Sequence, residues 1–153
     1  MISEELFNQT KFEEGLRLTA YICPAGKKTI GYGHNLEANP YFEGNRIPDK
    51  ITKEQAEVIL YHDLNNVATR LAAWHGFELL QGARKDAVIQ MAFQLGFDGF
   101  MGFKNMRKAL LRCEWAEAKA HALDSKWARQ TPKRAARVAH QLLTGQHYSV
   151  PSI

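Results

Sequence analysis

Three side chains with the chemistry of an acid, a thiol nucleophile and a hydroxyl lie within sixteen residues near the start of the chain. They are Glu14, Cys23 and Thr29. Such groups can meet at one point only if the chain doubles back, and the turn residues of Pro24–Gly26 predict a β-hairpin between the last two. A carboxylic acid opposite a second polar group suits glycoside hydrolysis, because the leaving oxygen needs a proton and the other face needs a nucleophile.

Capping and turn residues mark the elements that must position these groups. Ser3 is a suitable N-cap, so we predict a helix from there to about Glu14, with Gly15 at its end. Strands are predicted over residues 18–22 and 29–34. Residues 35–50 carry proline, glycine and many polar side chains, which predicts a loop in which Ile47 ends a short third strand.

Beyond residue 50 the apolar spacing is helical. Thr52 and Gln55 form a capping box, and the apolar set after them predicts a long helix to about Ala72. Further helices are predicted over residues 83–95, 104–113, 115–123 and from Thr131–Pro132 to Gly145. The predicted fold class is α+β: a small lobe with a β-hairpin or three-stranded sheet, joined by a long helix to a larger all-helical lobe. A long polymer would lie in the cleft between them.

Composition limits the classes of function. The 153 residues are 45% apolar, which fits one globular domain. No apolar run reaches the roughly 18–20 residues of a membrane span, and the N-terminus lacks the pattern of a signal peptide, so we expect accumulation in the cytoplasm. The net charge of +4 comes from basic residues late in the chain. It indicates a polyanionic cell wall or a solvated helical face rather than nucleic acid, for which no motif is present.

The cysteines and histidines do not indicate a metal site. Cys23 and Cys113 are expected to be free thiols in a cytoplasmic chain. Neither they nor the six histidines follow a zinc-ligand spacing. We therefore expect no metal and no other cofactor.

The segment from Glu14 to His34 resembles the catalytic signature of the phage lysozymes of the T-even type, glycoside hydrolase family 24. That family has Glu, an acidic residue nine positions later, Thr six further on, and then Ile-Gly-x-Gly-His. This chain matches each element except the middle one, where Cys23 replaces the usual Asp. Met91–Gly96 and Gly102-Phe103 match later family motifs, so the resemblance covers roughly residues 6–145.

The resemblance implies catalytic roles for three residues. Glu14 would be the general acid, and Cys23 and Thr29 would position or activate the attacking water. A free thiol is mostly neutral at pH 7, but Cys23 could become a thiolate if Lys27 or Lys28 lies near it. A proton donor needs burial or apolar neighbours to stay protonated.

The resemblance also implies binding and supporting roles. Gly33, Phe93 and Gln94 would contact the substrate, Gly33 by letting a sugar ring approach the backbone. His34 and Asp63 would form a structural pair that ties the hairpin to the long helix. Arg134 would lie beside the catalytic glutamate and fix its orientation.

The function implied is that of an endolysin that hydrolyses the β-1,4 bond between N-acetylmuramic acid and N-acetylglucosamine and lyses the host. Residues 1–153 would form one catalytic domain without a separate wall-binding module, with lobes of about 12–60 and 1–11 plus 61–153. The expected partner is the peptidoglycan glycan strand. The protein would be a monomer without stable membrane insertion, reaching the periplasm from the host cytoplasm through a holin.

Three alternatives remain open on the residues. A lytic transglycosylase needs only the glutamate and ends in an anhydro sugar, so the missing carboxylate permits it. A cysteine peptidase or amidase could use Cys23 with His34, although such a pair needs thiolate–imidazole contact and an orienting third group. A wall-binding module that has lost catalysis would have no reason to retain Glu14 and Thr29.

Overall fold

The structure, a computed structural model, describes residues 2–151 and confirms the α+β class. By their contacts the described residues form two compact units. One comprises residues 2–65 together with Pro151, and the other comprises Asn66–Val150. We call them the sheet unit and the helical unit.

The sheet unit begins with helix α1, Glu4–Glu14. The predicted N-cap is confirmed, since the Ser3 hydroxyl accepts a hydrogen bond from the backbone N–H of Leu6 at 3.0 Å. The predicted end is also confirmed, because Gly15 donates to the carbonyl of Lys11 and adopts a φ of 71° that suits glycine.

Five short strands follow α1: β1 Arg17–Ile22, β2 Lys28–Gly31, β3 His34–Asn35, β4 Tyr41–Phe42 and β5 Asn45–Arg46. The first three form one antiparallel sheet in the order β1-β2-β3. The prediction of a single strand over 29–34 is wrong. The positive φ values of Gly31 and Gly33 turn the chain, so that Ile30 pairs with His34 of the next strand. The predicted loop over 35–50 contains the β4–β5 hairpin, and Ile47 follows it.

Helix α2, Lys53–Leu71, begins at the predicted capping box. Thr52 N–H donates to Gln55 Oε1 at 2.8 Å, and Gln55 N–H donates to Thr52 Oγ1 at 3.1 Å. The first half of α2 packs on the sheet, where Ala56 Cβ would lie only 3.4 Å from a Cβ built on Gly31.

The first helix also contacts α2. Lys11 Nζ lies 2.9 Å from Glu57 Oε2, and the rings of Phe7 and Tyr61 meet edge to face. These contacts explain why α1 belongs to the sheet unit, whereas the sequence-based division put residues 1–11 with the helices.

The helical unit contains the end of α2, a 3₁₀ turn and five helices. These are the turn His75–Leu79, α3 Gly82–Met101, α4 Lys104–Leu111, α5 Trp115–Leu123, α6 Lys126–Gln130 and α7 Pro132–Thr144. Helix α7 packs against α3, α5 and α6, burying Ala135, Val138 and Leu142. The predicted stop at Gly96 is a kink with φ 79° inside α3, after which the chain returns to helix. The turn and α6 were not predicted.

Candidate active site

Glu14 occupies the end of α1, where the chain turns into β1. Its side chain is half-buried. The carboxylate lies against the backbone of Gly33, because a Cβ built there would be 2.6 Å from Glu14 Oε1. Gly33 also has a φ of 78°, which side chains rarely tolerate. The structure thus brings two predicted site residues together, and it gives Gly33 a contact that the sequence did not indicate.

Cys23 and Thr29 meet through the main chain of Lys27. Cys23 opens the turn between β1 and β2, where its N–H donates to the Lys27 carbonyl at 2.9 Å. Thr29 is buried on β2, and its hydroxyl donates to the same carbonyl at 2.9 Å. The predicted hairpin therefore ties Cys23 and Thr29 to the same main-chain carbonyl.

The turn between β1 and β2 favours the ionised form of the Cys23 thiol. The backbone N–H of Lys27, foremost, and the Thr29 hydroxyl lower the pKa of the thiol, with smaller help from the N–H groups of Ala25 and Cys23 itself. Partial burial acts in the opposite direction and is outweighed. The charges of Lys27 and Lys28, which were considered from sequence, are not among the causes of this lowered pKa, and the Lys28 ammonium lies 3.0 Å from Asp49.

The hydroxyl of Thr29 has only one proton for two acceptors. While that proton points to the Lys27 carbonyl, the hydroxyl oxygen can accept from a neutral thiol of Cys23. When the thiol ionises, the proton is better placed on the sulfur, because a hydrogen bond to a charged acceptor is the stronger one. The Thr29 contact that lowers the Cys23 pKa therefore depends on rotation of the hydroxyl.

Tyr21 lies beside the candidate site, and the sequence analysis did not single it out. It pairs with Thr29 across the hairpin, and the Arg17 guanidinium stacks 4.2 Å from its ring centroid. Burial, foremost, raises the pKa of its phenol; Arg17 opposes this, and the negative charges of Cys23 and Glu14 add to it. Tyr21 thus lies within electrostatic reach of both candidate catalytic groups. Only the register of the hairpin, which pairs Tyr21 with Thr29, could have indicated this position, and the sequence does not fix that register.

His34 and Asp63 form the predicted pair. His34 Nδ1 lies 2.6 Å from Asp63 Oδ2, and Nε2 lies 2.7 Å from the carbonyl oxygen of Asn39. A carboxylate and a carbonyl both accept, so both ring nitrogens carry protons. Burial disfavours this charged imidazole, but the bond and charge of Asp63 and the bond to Asn39 raise the pKa of His34 overall. The pair joins β3 to α2.

The predicted residues of the helical unit have partners of their own. The Gln94 amide accepts from Trp127 Nε1 at 2.8 Å and donates to Thr131 Oγ1 at 3.3 Å. One amide hydrogen of Gln94 remains for a further acceptor. Phe93 is half-buried beside it on α3. Arg134, on α7, donates from Nε to Gln90 Oε1 at 3.2 Å.

Residues 2–151 contain no group of three or more His, Cys, Asp or Glu side chains that could hold a metal ion. Within the same range, every helix is too short or too polar to cross a membrane.

Comparison with known proteins identifies the family. The chain belongs to the phage lysozyme family, whose model matches residues 11–142. The chain is 32% identical to the endolysin of Salmonella phage P22, over 80% of this chain and 82% of that protein. It is 39% identical to the endolysin of Acyrthosiphon pisum secondary endosymbiont phage 1, over 65% of this chain and 62% of that protein.

A third relative is much longer than this chain. The chain is 31% identical to the pre-baseplate central spike protein Gp5 of Enterobacteria phage T4, over 87% of this chain but only 26% of the spike protein. The chain thus spans about a quarter of one relative and less than two thirds of another.

Proposed function

We propose that this chain is a lysozyme that hydrolyses the β-1,4 bond between N-acetylmuramic acid and N-acetylglucosamine in peptidoglycan. The proposal rests on one observation above all. The Glu14 carboxylate is held against Gly33 in the same unit as Cys23 and Thr29, whose backbone N–H and side-chain hydroxyl donate to one carbonyl, that of Lys27. Membership of the phage lysozyme family supports this chemistry.

Glu14 is the proton donor in this proposal. Its carboxyl protonates the glycosidic oxygen as the bond to the anomeric carbon breaks, so that the leaving sugar departs as a neutral alcohol. The contact with Gly33 restricts the positions that the carboxyl can take. A donor that is already held near the leaving oxygen loses less conformational entropy on reaching the transition state.

Cys23 and Thr29 guide the attacking water. A water that donates to the sulfur of Cys23 presents its oxygen lone pair to the anomeric carbon on the face opposite the leaving oxygen, and its proton passes to the Cys23 thiolate as the new carbon–oxygen bond forms. Thr29, whose hydroxyl helps to lower the pKa of Cys23, favours the ionised sulfur that this step needs. An inverting enzyme needs about 6.5–9.5 Å between donor and base for such a water. The first product is then the α-anomer, and no sugar becomes attached to Cys23.

The remaining predicted residues support this reaction. His34 and Asp63 hold β3 against α2 without taking part in chemistry. Gln94 uses its remaining amide hydrogen on a sugar hydroxyl or acetamido oxygen, with Phe93 beside it. The family resemblance gives Arg134 the task of orienting the donor, and the proposal retains it.

The biological setting is also proposed. The protein acts as a monomeric endolysin on the peptidoglycan glycan strand of a thin wall. It accumulates in the host cytoplasm and reaches the periplasm through a holin, without inserting into a membrane itself. The endolysins of two phages among its relatives support this setting.

Mass spectrometry of purified peptidoglycan after digestion tests the reaction. Hydrolysis yields muropeptides with reducing ends, and proton NMR at early times should show the α-anomer. Anhydro ends would instead identify a lytic transglycosylase, which the loss of the usual carboxylate at position 23 allows. An unchanged polymer that still binds the protein would identify a binding module, and peptide cleavage would point to a peptidase or amidase.

The variant Glu14→Gln tests the donor. It should fold normally and lose at least about 100-fold in the rate at which permeabilised cells clear, the low end for loss of general acid catalysis. Glu5→Gln makes the same chemical change at the exposed start of α1 and should leave the rate unaltered. Near-full activity in folded Glu14→Gln protein would remove Glu14 from the mechanism.

A further inference from the structure

The segment that follows α7 folds back onto α3. Gly145 ends α7 in the left-handed conformation, and two residues farther on His147 Nε2 lies 2.7 Å from Asp86 Oδ2. The backbone N–H of Tyr148 donates to Gln141 Oε1 at 3.3 Å. The phenol of Tyr148 is thereby held at a defined place beside α3.

Gln90 connects that phenol to Arg134. Gln90 is on α3, one turn after Asp86, and is only 1% exposed. Its Oε1 accepts from Arg134 Nε at 3.2 Å, and its Nε2 donates to the hydroxyl of Tyr148 at 2.9 Å.

The chemistry of the three groups permits one orientation of this amide. A guanidinium only donates, so the amide must turn its oxygen towards Arg134. The amide NH₂ of Gln90 then faces Tyr148, whose hydroxyl is the acceptor. Removing the Tyr148 hydroxyl would take away the hydrogen bond that holds the NH₂ end of the amide and leave the bond to Arg134 to hold the other end. The side chain of Gln90 would then be freer to rotate, and its oxygen would hold Arg134 Nε less firmly.

We propose that Gln90 and Tyr148 are positioning residues for Arg134, so that the segment after α7 sets the direction of the guanidinium. The inference rests on the proposed function, in which Arg134 orients the proton donor. An arginine side chain has many rotamers, and fixing one of them needs contacts of this kind. Tyr148 acts on the reaction only through Gln90 and Arg134.

The test is the variant Tyr148→Phe, which removes one oxygen and keeps the ring. Turnover and KM are measured on purified, dye-labelled peptidoglycan. We expect kcat to fall about tenfold, within the roughly 100-fold that a 1 Å misplacement can cost, with KM changed by less than about twofold. Tyr41→Phe, which removes an exposed hydroxyl in the sheet unit, should leave both constants unchanged.

A double-mutant cycle separates positioning from a general effect on the fold. In an Arg134→Ala background, Tyr148→Phe should cause no further loss of kcat, because the residue through which it acts is gone. The Arg134 Nε–H signal in NMR should exchange faster with water in Tyr148→Phe than in the native protein. An equal loss of kcat in both backgrounds would overturn the proposal.

Two other results are informative in different ways. If Arg134→Ala loses activity and Tyr148→Phe does not, the positioning role of Gln90 and Tyr148 is wrong and the proposed function stands. If Arg134→Ala retains full activity, the role of Arg134 in the proposed function fails, and the positioning role fails with it.

Discussion

Replacing Gly33 with alanine separates the stability of the hairpin from the placement of the proton donor. Gly33 has a φ of 78°, so any side chain there is strained. Strain of this kind costs about 1–3 kcal/mol. For a chain of this length that lowers the melting temperature by about 3–10 °C.

The new methyl group also collides with Glu14. A Cβ at position 33 would lie 2.6 Å from Oε1, whereas real contacts begin near 3.0 Å and are relaxed at 3.4 Å. The carboxylate is the end of a flexible side chain, so it can move away by about 0.4–0.8 Å at little cost in stability. Since a misplacement of about 1 Å can reduce a rate by 100-fold, we expect lysis to slow by about 10- to 100-fold.

Gly44→Ala is the matched control for Gly33→Ala. Gly44 has a φ of 81° in the β4–β5 hairpin, and nothing lies within 4 Å of the added methyl group. It should lose similar stability and keep its lysis rate. Both variants are assayed by the clearing of permeabilised cells at a temperature where circular dichroism shows each to be folded. Equal lysis rates in the two variants would refute the link between Gly33 and the donor.

Three further predictions concern the other contacts of the sheet unit. Asp63→Asn should lower the free energy of unfolding by about 3 kcal/mol, as breaking a buried pair does, with little effect on the lysis rate. Because the pKa of His34 is raised in the folded protein, the variant should lose most in melting temperature below about pH 6.5. That loss should shrink as the pH rises through the raised pKa. An Asp63→Asn protein of native stability without lysis would make the pair catalytic. Thr29→Val should raise the pH at which iodoacetamide alkylates half of Cys23, as measured by intact-mass spectrometry. An unchanged midpoint would show that the Thr29 hydroxyl does not lower the pKa of Cys23. Cys23→Asp should retain substantial lysis and Cys23→Ala should lose much of it, whereas a sugar adduct on Cys23 would make the thiol a nucleophile.

Local signals in the sequence were enough to predict most helix ends. The Ser3 cap, the Thr52–Gln55 box and the Pro132 start each act within one turn of helix, so no tertiary information is needed to read them. The continuation of α3 beyond Gly96 was not predictable in this way. A glycine with positive φ normally ends a helix, and the chain resumes helix here because its later residues, such as Phe100, are buried.

The pairing of Cys23 with Thr29 followed from the predicted hairpin, but its chemistry did not. Apart from the Thr29 hydroxyl, the groups that lower the pKa of Cys23 are main-chain N–H groups, which every residue has and which leave no trace in the sequence. The contact between Gly33 and Glu14 was not predictable either, because it depends on how the end of α1 lies against the turn between β2 and β3. Which residues are present could be predicted from the sequence, and which atoms face each other could not.

The turn that surrounds the Cys23 sulfur recognises charge rather than a particular side chain. The main-chain N–H groups of this turn, that of Lys27 foremost, lower the pKa of Cys23, and amides gathered in a turn stabilise small anions in general. We therefore expect that Asp at position 23 would leave the hairpin intact, since its carboxylate would meet the same donors as a thiolate. Cys at this position has a further consequence, because a thiolate is open to oxidation and a carboxylate is not.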